Sequence, residues 1–114
     1  MRVLVTGGTG TLGSAVVEKL RQHGHEAVLG SRKSGAGRVV INLATGDGIE
    51  RAVASVDVVV HTASDPGRHA RTTDVVGTRR LAETRLPVLY TSIIGIDEHP
   101  YRYYRIKREG EQVL

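Results

Sequence analysis

The stretch Val5-Thr6-Gly7-Gly8-Thr9-Gly10-Thr11-Leu12-Gly13 decides how the rest of the chain is read. It follows a strand-like run at 2–6 and opens a helix-like run at 11–23. Residues 8, 10 and 13 fit a G-x-G-x-x-G spacing, while 7, 10 and 13 fit the related G-x-x-G-x-x-G spacing. Lacking a β-carbon, Gly7 and Gly10 let backbone amides approach an anion closely, and the helix start adds further amides and a positive dipole end. Gly13 lets the helix lie tightly on the sheet behind it. Such spacing alone is common. Set between a strand and a helix, it reads as a cradle for a dinucleotide pyrophosphate, built from Gly7, Thr9, Gly10, Thr11, Leu12 and Gly13.

Outward from this bend, short β-branched runs alternate with longer helical ones. Strands are expected at 2–6, 26–30, 38–41, 56–61 and 87–91, and helices at 11–23, 48–55, 69–84 and 101–114. Val58-Val59-Val60 is apolar without interruption, which suits a strand covered on both faces. In the first helix Leu12, Val16, Val17 and Leu20 make an apolar stripe, and Gly24 follows as a stop. The alternation predicts an α/β fold of Rossmann type: one doubly wound parallel sheet of about five strands, three layers deep, with right-handed crossovers. The 114 residues make one dinucleotide-binding domain over 1–114.

Composition narrows the chemistry. There is no cysteine, so no disulfide, thiol nucleophile or thiolate metal site. The five histidines show no metal-ligand spacing. Phe and Trp are absent, which leaves an aliphatic core. The net charge of +4 is spread along the chain without a zinc-finger or RNA-binding signature, and nucleic acid is not expected as a partner. No apolar run approaches the roughly 20 residues of a membrane helix, and no signal-peptide pattern precedes the first strand. A cytoplasmic protein that neither enters membranes nor binds metal is the expectation.

A Rossmann site that prefers NAD usually carries an acid about 20 residues beyond the glycines, where it meets the ribose 2′-hydroxyl. Residues 27–46 contain no acid. Ser31, Arg32 and Lys33 occupy that corner instead. A guanidinium forks onto a 2′-phosphate with charge-assisted bonds of roughly 1.5–3 kcal/mol each, about 10- to 150-fold in affinity. NADP(H) is therefore the expected cofactor, ahead of NAD(H).

Several further motifs recur in order along the chain. They are Gly30-Ser31-Arg32, Asn42-Leu43, Val58-Val59-Val60-His61-Thr62-Ala63-Ser64, and Asp74-Val75 with Gly77-Thr78 and Leu81. Tyr90-Thr91-Ser92 with Gly95 and Tyr103-Tyr104-Arg105-Ile106-Lys107 with Glu111 complete the set. Together with the glycine bend, these resemble the short-chain dehydrogenase/reductase superfamily, and within it the atypical, NmrA-like NAD(P)H-binding branch. The resemblance runs over the whole chain. Members of the family continue past the helix in which residue 114 falls, with further strands and a small substrate-binding region.

The resemblance implies a division of labour. Asn42 and Leu43 would flank the adenine, and Thr62, Ala63 and Ser64 would pass the nicotinamide-side ribose. Lys107 would bind that ribose and lower the pKa of Tyr103, four residues earlier on the same helix face. Tyr103 would then exchange a proton with a small carbonyl, alcohol or quinone-type substrate while hydride moves at the nicotinamide. Tyr104 is the rival for that part. Ser92 ends the fifth strand near where relatives hold a catalytic serine, although their serine falls a residue or two later, at Ile93 or Ile94 here. Asp74 stands where extended relatives carry asparagine. These departures keep a second reading open, a non-catalytic dinucleotide sensor, and beside it an inactive fragment. A sheet edge left uncovered would favour self-association.

Overall fold

The computed structural model describes residues 1–64, 67–92 and 101–114. Ile93, Ile94 and Gly95 lie outside them. The order is β1 (Arg2–Thr6), α1 (Thr11–Gln22), β2 (Glu26–Ser31), β3 (Arg38–Val40), α2 (Ile49–Val53) and β4 (Val58–His61). A π-helical turn (Thr72–Val76) then runs into α3 (Gly77–Ala82), followed by β5 (Val88–Tyr90) and α4 (Arg102–Gln112). All strand pairs are parallel, and the sheet order is β3-β2-β1-β4-β5. Chain direction along the sheet reverses between β1 and β4, so their carboxyl ends open a crevice where an α/β sheet takes its ligand. The fold is the expected three-layer Rossmann arrangement.

The central strands β1 and β4 are apolar on both faces because helices cover both. Leu4, Val28 and Val59 pack with Ile49, Ala52 and Leu81 on one side. Val3, Val5 and Val60 pack with Val17 of α1 on the other. Burying each of these side chains fully contributes roughly 1.5–3 kcal/mol. At the outer strand, Leu89 remains 63% exposed on the face that Val60 shares.

The expected helix at 69–84 is not regular. Its middle is the π turn, which buries Asp74 and Val75 together. Such wide turns accommodate an additional residue and leave backbone groups that need other partners. One is met locally: the Thr78 hydroxyl donates to the Asp74 carbonyl at 2.8 Å. Periodicity alone does not distinguish such a turn from α-helix. Its consequence is that a charged side chain enters the interior beneath the crevice.

Candidate functional site

The crevice is a groove of about 900 Å³ above β1 and β4. Its lining includes Gly7, Thr9, Gly10, Thr11, Leu12, Gly13, Ser31, Arg32, Asn42, Leu43, Thr62, Ala63 and Ser64. Every residue expected to hold the dinucleotide therefore reaches it except Lys107.

The bend is built by contact distance. Gly7 sits at φ +69°, and a Cβ there would lie 2.7 Å from the Ala63 Cα. A Cβ on Gly13 would run into the Gly7 carbonyl, so α1 docks only with glycine at that point. The Gly7 amide donates to the Gly30 carbonyl at 3.2 Å, and the Gly10 amide donates to the Gly7 carbonyl at 2.9 Å. Gly10 is thus structural and its N–H is not offered to a ligand, contrary to the expectation. The amides of Gly8, Thr9, Thr11, Leu12 and Gly13 have no acceptor among the described residues. The first turn of α1 also carries no acidic side chain. A diphosphate fits here because it supplies the acceptors that these donors lack and because the helix dipole favours negative charge.

At the far wall, the Lys33 amide donates to the Ser31 hydroxyl at 3.2 Å, which turns the chain outward after β2. Arg32 is exposed and makes no ion pair among the described residues. Asn42 lines the groove and also shapes its own loop. Its Oδ1 accepts the amides of Ala44 at 2.9 Å and Thr45 at 3.2 Å, an Asx turn. Leu43 lines the groove yet belongs chiefly to the core, seated against Gly77, where an added Cβ would stand 2.9 Å from its own. Arg80 braces the loop from below by donating to the Ala44 carbonyl at 3.0 Å.

Next to the Ser64 end of the groove lies a buried polar set. Lys107 does not reach the groove: its ammonium donates to Asp74 Oδ1 at 2.7 Å, with side chains 4% and 0% exposed. The same oxygen accepts the Tyr90 hydroxyl at 3.3 Å. Ser64 donates to the other oxygen, Oδ2, at 3.1 Å, and Tyr103 is hydrogen-bonded to Ser64. Ser92, expected beside the tyrosine, instead donates to Glu111 of α4. The serine that meets Tyr103 comes from the segment after β4, not from the one after β5. Tyr104 packs edge-on against Tyr101, ring centroids 5.5 Å apart.

Two ionisable groups respond to this burial. Desolvation, then the Asp74 carboxylate, pushes the Tyr90 phenol well above the usual tyrosine value. His61, fully buried, shares a hydrogen bond between Nδ1 and the Thr6 hydroxyl at 2.6 Å, and the Thr73 backbone near its ring favours the protonated form; no hydrogen bond of normal geometry reaches its Nε2 among the described residues. Burial lowers its pKa from 6.5 to about 4, against the pull of Asp74, with a smaller lowering by Lys107. Asp74, His61, Tyr90 and Gly110 were not singled out as site residues by the sequence. Gly110 carried a signal: glycine inside a helix costs about 1 kcal/mol and calls for a reason. The reason is contact, since a Cβ there would collide with the Tyr90 hydroxyl and the Asp74 carbonyl.

The sequence profile of the NAD dependent epimerase/dehydratase family matches residues 3–86. The chain belongs to that family, within the short-chain dehydrogenase/reductase superfamily. It is 38% identical over 82 residues to human epimerase family protein SDR39U1, a match covering 69% of this chain and 28% of that protein. A bifunctional pinoresinol-lariciresinol reductase of Linum usitatissimum is 34% identical over 87 residues, covering 61% of this chain and 27% of the reductase. Among solved structures, an Agrobacterium tumefaciens superfamily member with bound NAD superposes with a TM-score of 0.83 at 24% identity, over 99% of this chain and 44% of that one. Human SDR39U1 with NADPH gives 0.75 at 23%, over 99% and 48%. These superpositions establish the fold. The chain spans less than a third of the length of these curated relatives, at 28% and 27%.

Proposed function

We propose that this chain is the NADP(H)-binding domain of an oxidoreductase that moves hydride to or from a small carbonyl, alcohol or quinone-type substrate. The observation that carries the reading is the set of amides at Thr9, Thr11, Leu12 and Gly13, which have no acceptor among the described residues and belong to residues lining one groove. Arg32 supports the preference for a 2′-phosphate, because an exposed guanidinium with no ion pair and no neighbouring acid loses nothing by binding one. When bound, the nicotinamide supplies or takes the hydride. The chain's part is to hold the diphosphate on its amides, clamp the extra phosphate, and carry a proton on Tyr103, which is hydrogen-bonded to the groove-lining Ser64.

Titration of the purified chain with NADPH and NADH, followed by nicotinamide fluorescence, tests this directly. NADPH is expected to bind about 10- to 150-fold more tightly, and Arg32→Ala is expected to abolish most of that difference. Equal affinity for both nucleotides in the parent would remove the assigned clamp, and binding of neither would remove the reading altogether. A second reading, a dinucleotide sensor of NmrA-like type, is favoured by one fact: the Lys107 ammonium is held on Asp74 and not turned to the groove. Tight NADPH binding with no turnover of carbonyls or quinones would support it.

A further inference from the structure

We propose that Asp74 is the positioning residue of the tyrosine site: its carboxylate anchors Lys107 on one oxygen and, through Ser64 on the other, fixes the direction of the Tyr103 hydroxyl proton. The proposal rests on reading Tyr103 as the proton-carrying group. Donor and acceptor counting among the described residues sets the direction. A carboxylate only accepts, and a serine hydroxyl has a single hydrogen. Ser64 gives its hydrogen to Asp74 Oδ2 at 3.1 Å, so the bond between Ser64 and Tyr103 must be donated by the phenol. Oδ1 is meanwhile occupied by Lys107 at 2.7 Å, and the single hydrogen of the Tyr90 hydroxyl is shared between Oδ1 at 3.3 Å and the Lys107 carbonyl at 3.2 Å. Both oxygens are committed, and the carboxylate has no latitude to turn.

The fold supports this from four elements. The π turn carries Asp74, the segment after β4 carries Ser64, β5 carries Tyr90, and α4 carries Tyr103 and Lys107. Glycine at 110 lets α4 come close enough to the π turn for the ion pair to form. Among the described residues, the titratable groups coupled to this set include His61 from β4, Tyr90 from β5, and Lys107 and Glu111 from α4. An ionised carboxylate beyond Ser64 disfavours a second negative charge on the phenol, and donation into Ser64 stabilises the phenol's neutral form. The hydrogen bond runs through Ser64 while the carboxylate field acts through space, so Ser64→Ala removes the first and Asp74→Asn removes both.

The experiment is a pH titration of tyrosinate ultraviolet absorbance on the full chain, with the Tyr103 component taken as the difference from the matching Tyr103→Phe protein. Ser64→Ala is expected to make Tyr103 ionise more readily, and Ser64→Thr, which keeps the hydroxyl, to titrate as the parent does. In Asp74→Asn the amide donates to Ser64, whose hydrogen turns to the phenol oxygen and reverses the bond. There the acid dissociation constant of Tyr103 should rise about tenfold or more. A Tyr103 component unchanged in Ser64→Ala overturns the proposal, as does one unchanged in folded Asp74→Asn. Ser64→Ala decides alone if Asp74→Asn fails to fold, because it leaves the ion pair intact. A purely structural Asp74 would change stability and leave the Tyr103 component where it was. No nucleotide enters the titration. Loss of NADPH binding in the parent would therefore end the proposed function, with the Tyr103 shift still readable on its own.

Discussion

The glycine bend and the buried set around Asp74 lie at neighbouring parts of one groove and are built in opposite ways. The bend works by leaving donors unmatched: five amides have no acceptor among the described residues, and side chains are kept out by glycine. The Asp74 set works by matching, with Lys107, Tyr90 and Ser64 all donating to one carboxylate. An unmatched donor in an open groove is a binding site, since water satisfies it until a ligand does. A matched set in the interior is rigid, and its worth lies in where it holds the side chains at its rim. The first region is suited to take up an anion, the second to fix the orientation of Tyr103.

The largest effect that would break this contrast is on stability. Asp74→Ala leaves the Lys107 ammonium buried without a counter-charge, and the loss is expected to be about 3–5 kcal/mol by urea denaturation. That is a large share of the 5–15 kcal/mol typical of a whole domain. Replacing both partners together, Asp74→Leu with Lys107→Met, should recover most of it, because the penalty belongs to the lone charge more than to the missing bond. If Asp74→Ala cost under about 1 kcal/mol, Lys107 would have found water, and the set would not be rigid.

The two regions also differ in how far the sequence disclosed them. Glycines at 7, 10 and 13 lie within one turn of strand and helix, so their spacing carries the geometry and the bend was readable at once. The sheet was readable for a similar reason, because uninterrupted runs such as Val58-Val59-Val60 have no other stable place. The Asp74 contacts join residues 10, 16 and 33 positions apart, brought together from three other parts of the fold. Lys107 illustrates the limit. Four residues from Tyr103 it shares a helix face as expected, yet what that face meets is decided by an acid on another element. Asn42 adds a second case: it reaches the groove, and its own loop also takes the side-chain oxygen, which the sequence did not disclose.

A second, somewhat smaller effect sharpens the comparison through pH. His61 lies beneath both regions, bonded to Thr6 of β1 and influenced by Asp74 and Lys107. Its folded pKa of about 4 lies below the ordinary 6.5. The unfolded chain therefore takes up a proton that the folded chain refuses, and this contribution to stability is present above pH 6.5. It is lost as pH falls from 6.5 toward 4, by about 3 kcal/mol in all. Thermal melts across that window should show the fall in the parent and a shallower one in His61→Gln. Equal slopes would mean that His61 is not held neutral by its burial.

The smallest effect separates two serines. Ser92 donates to Glu111 at the exposed end of α4, and Ser64 donates inward to Asp74. Exposed polar contacts of the first kind change stability by no more than about 0.5 kcal/mol when removed. Ser92→Ala should therefore leave both unfolding and the Tyr103 titration as in the parent, whereas Ser64→Ala moves the titration. Were Ser92→Ala to shift Tyr103 as well, the serine at the end of β5 would have to reach the phenol in solution. The direction of the Tyr103 proton would then be shared between two strands, and Asp74 would control only part of it.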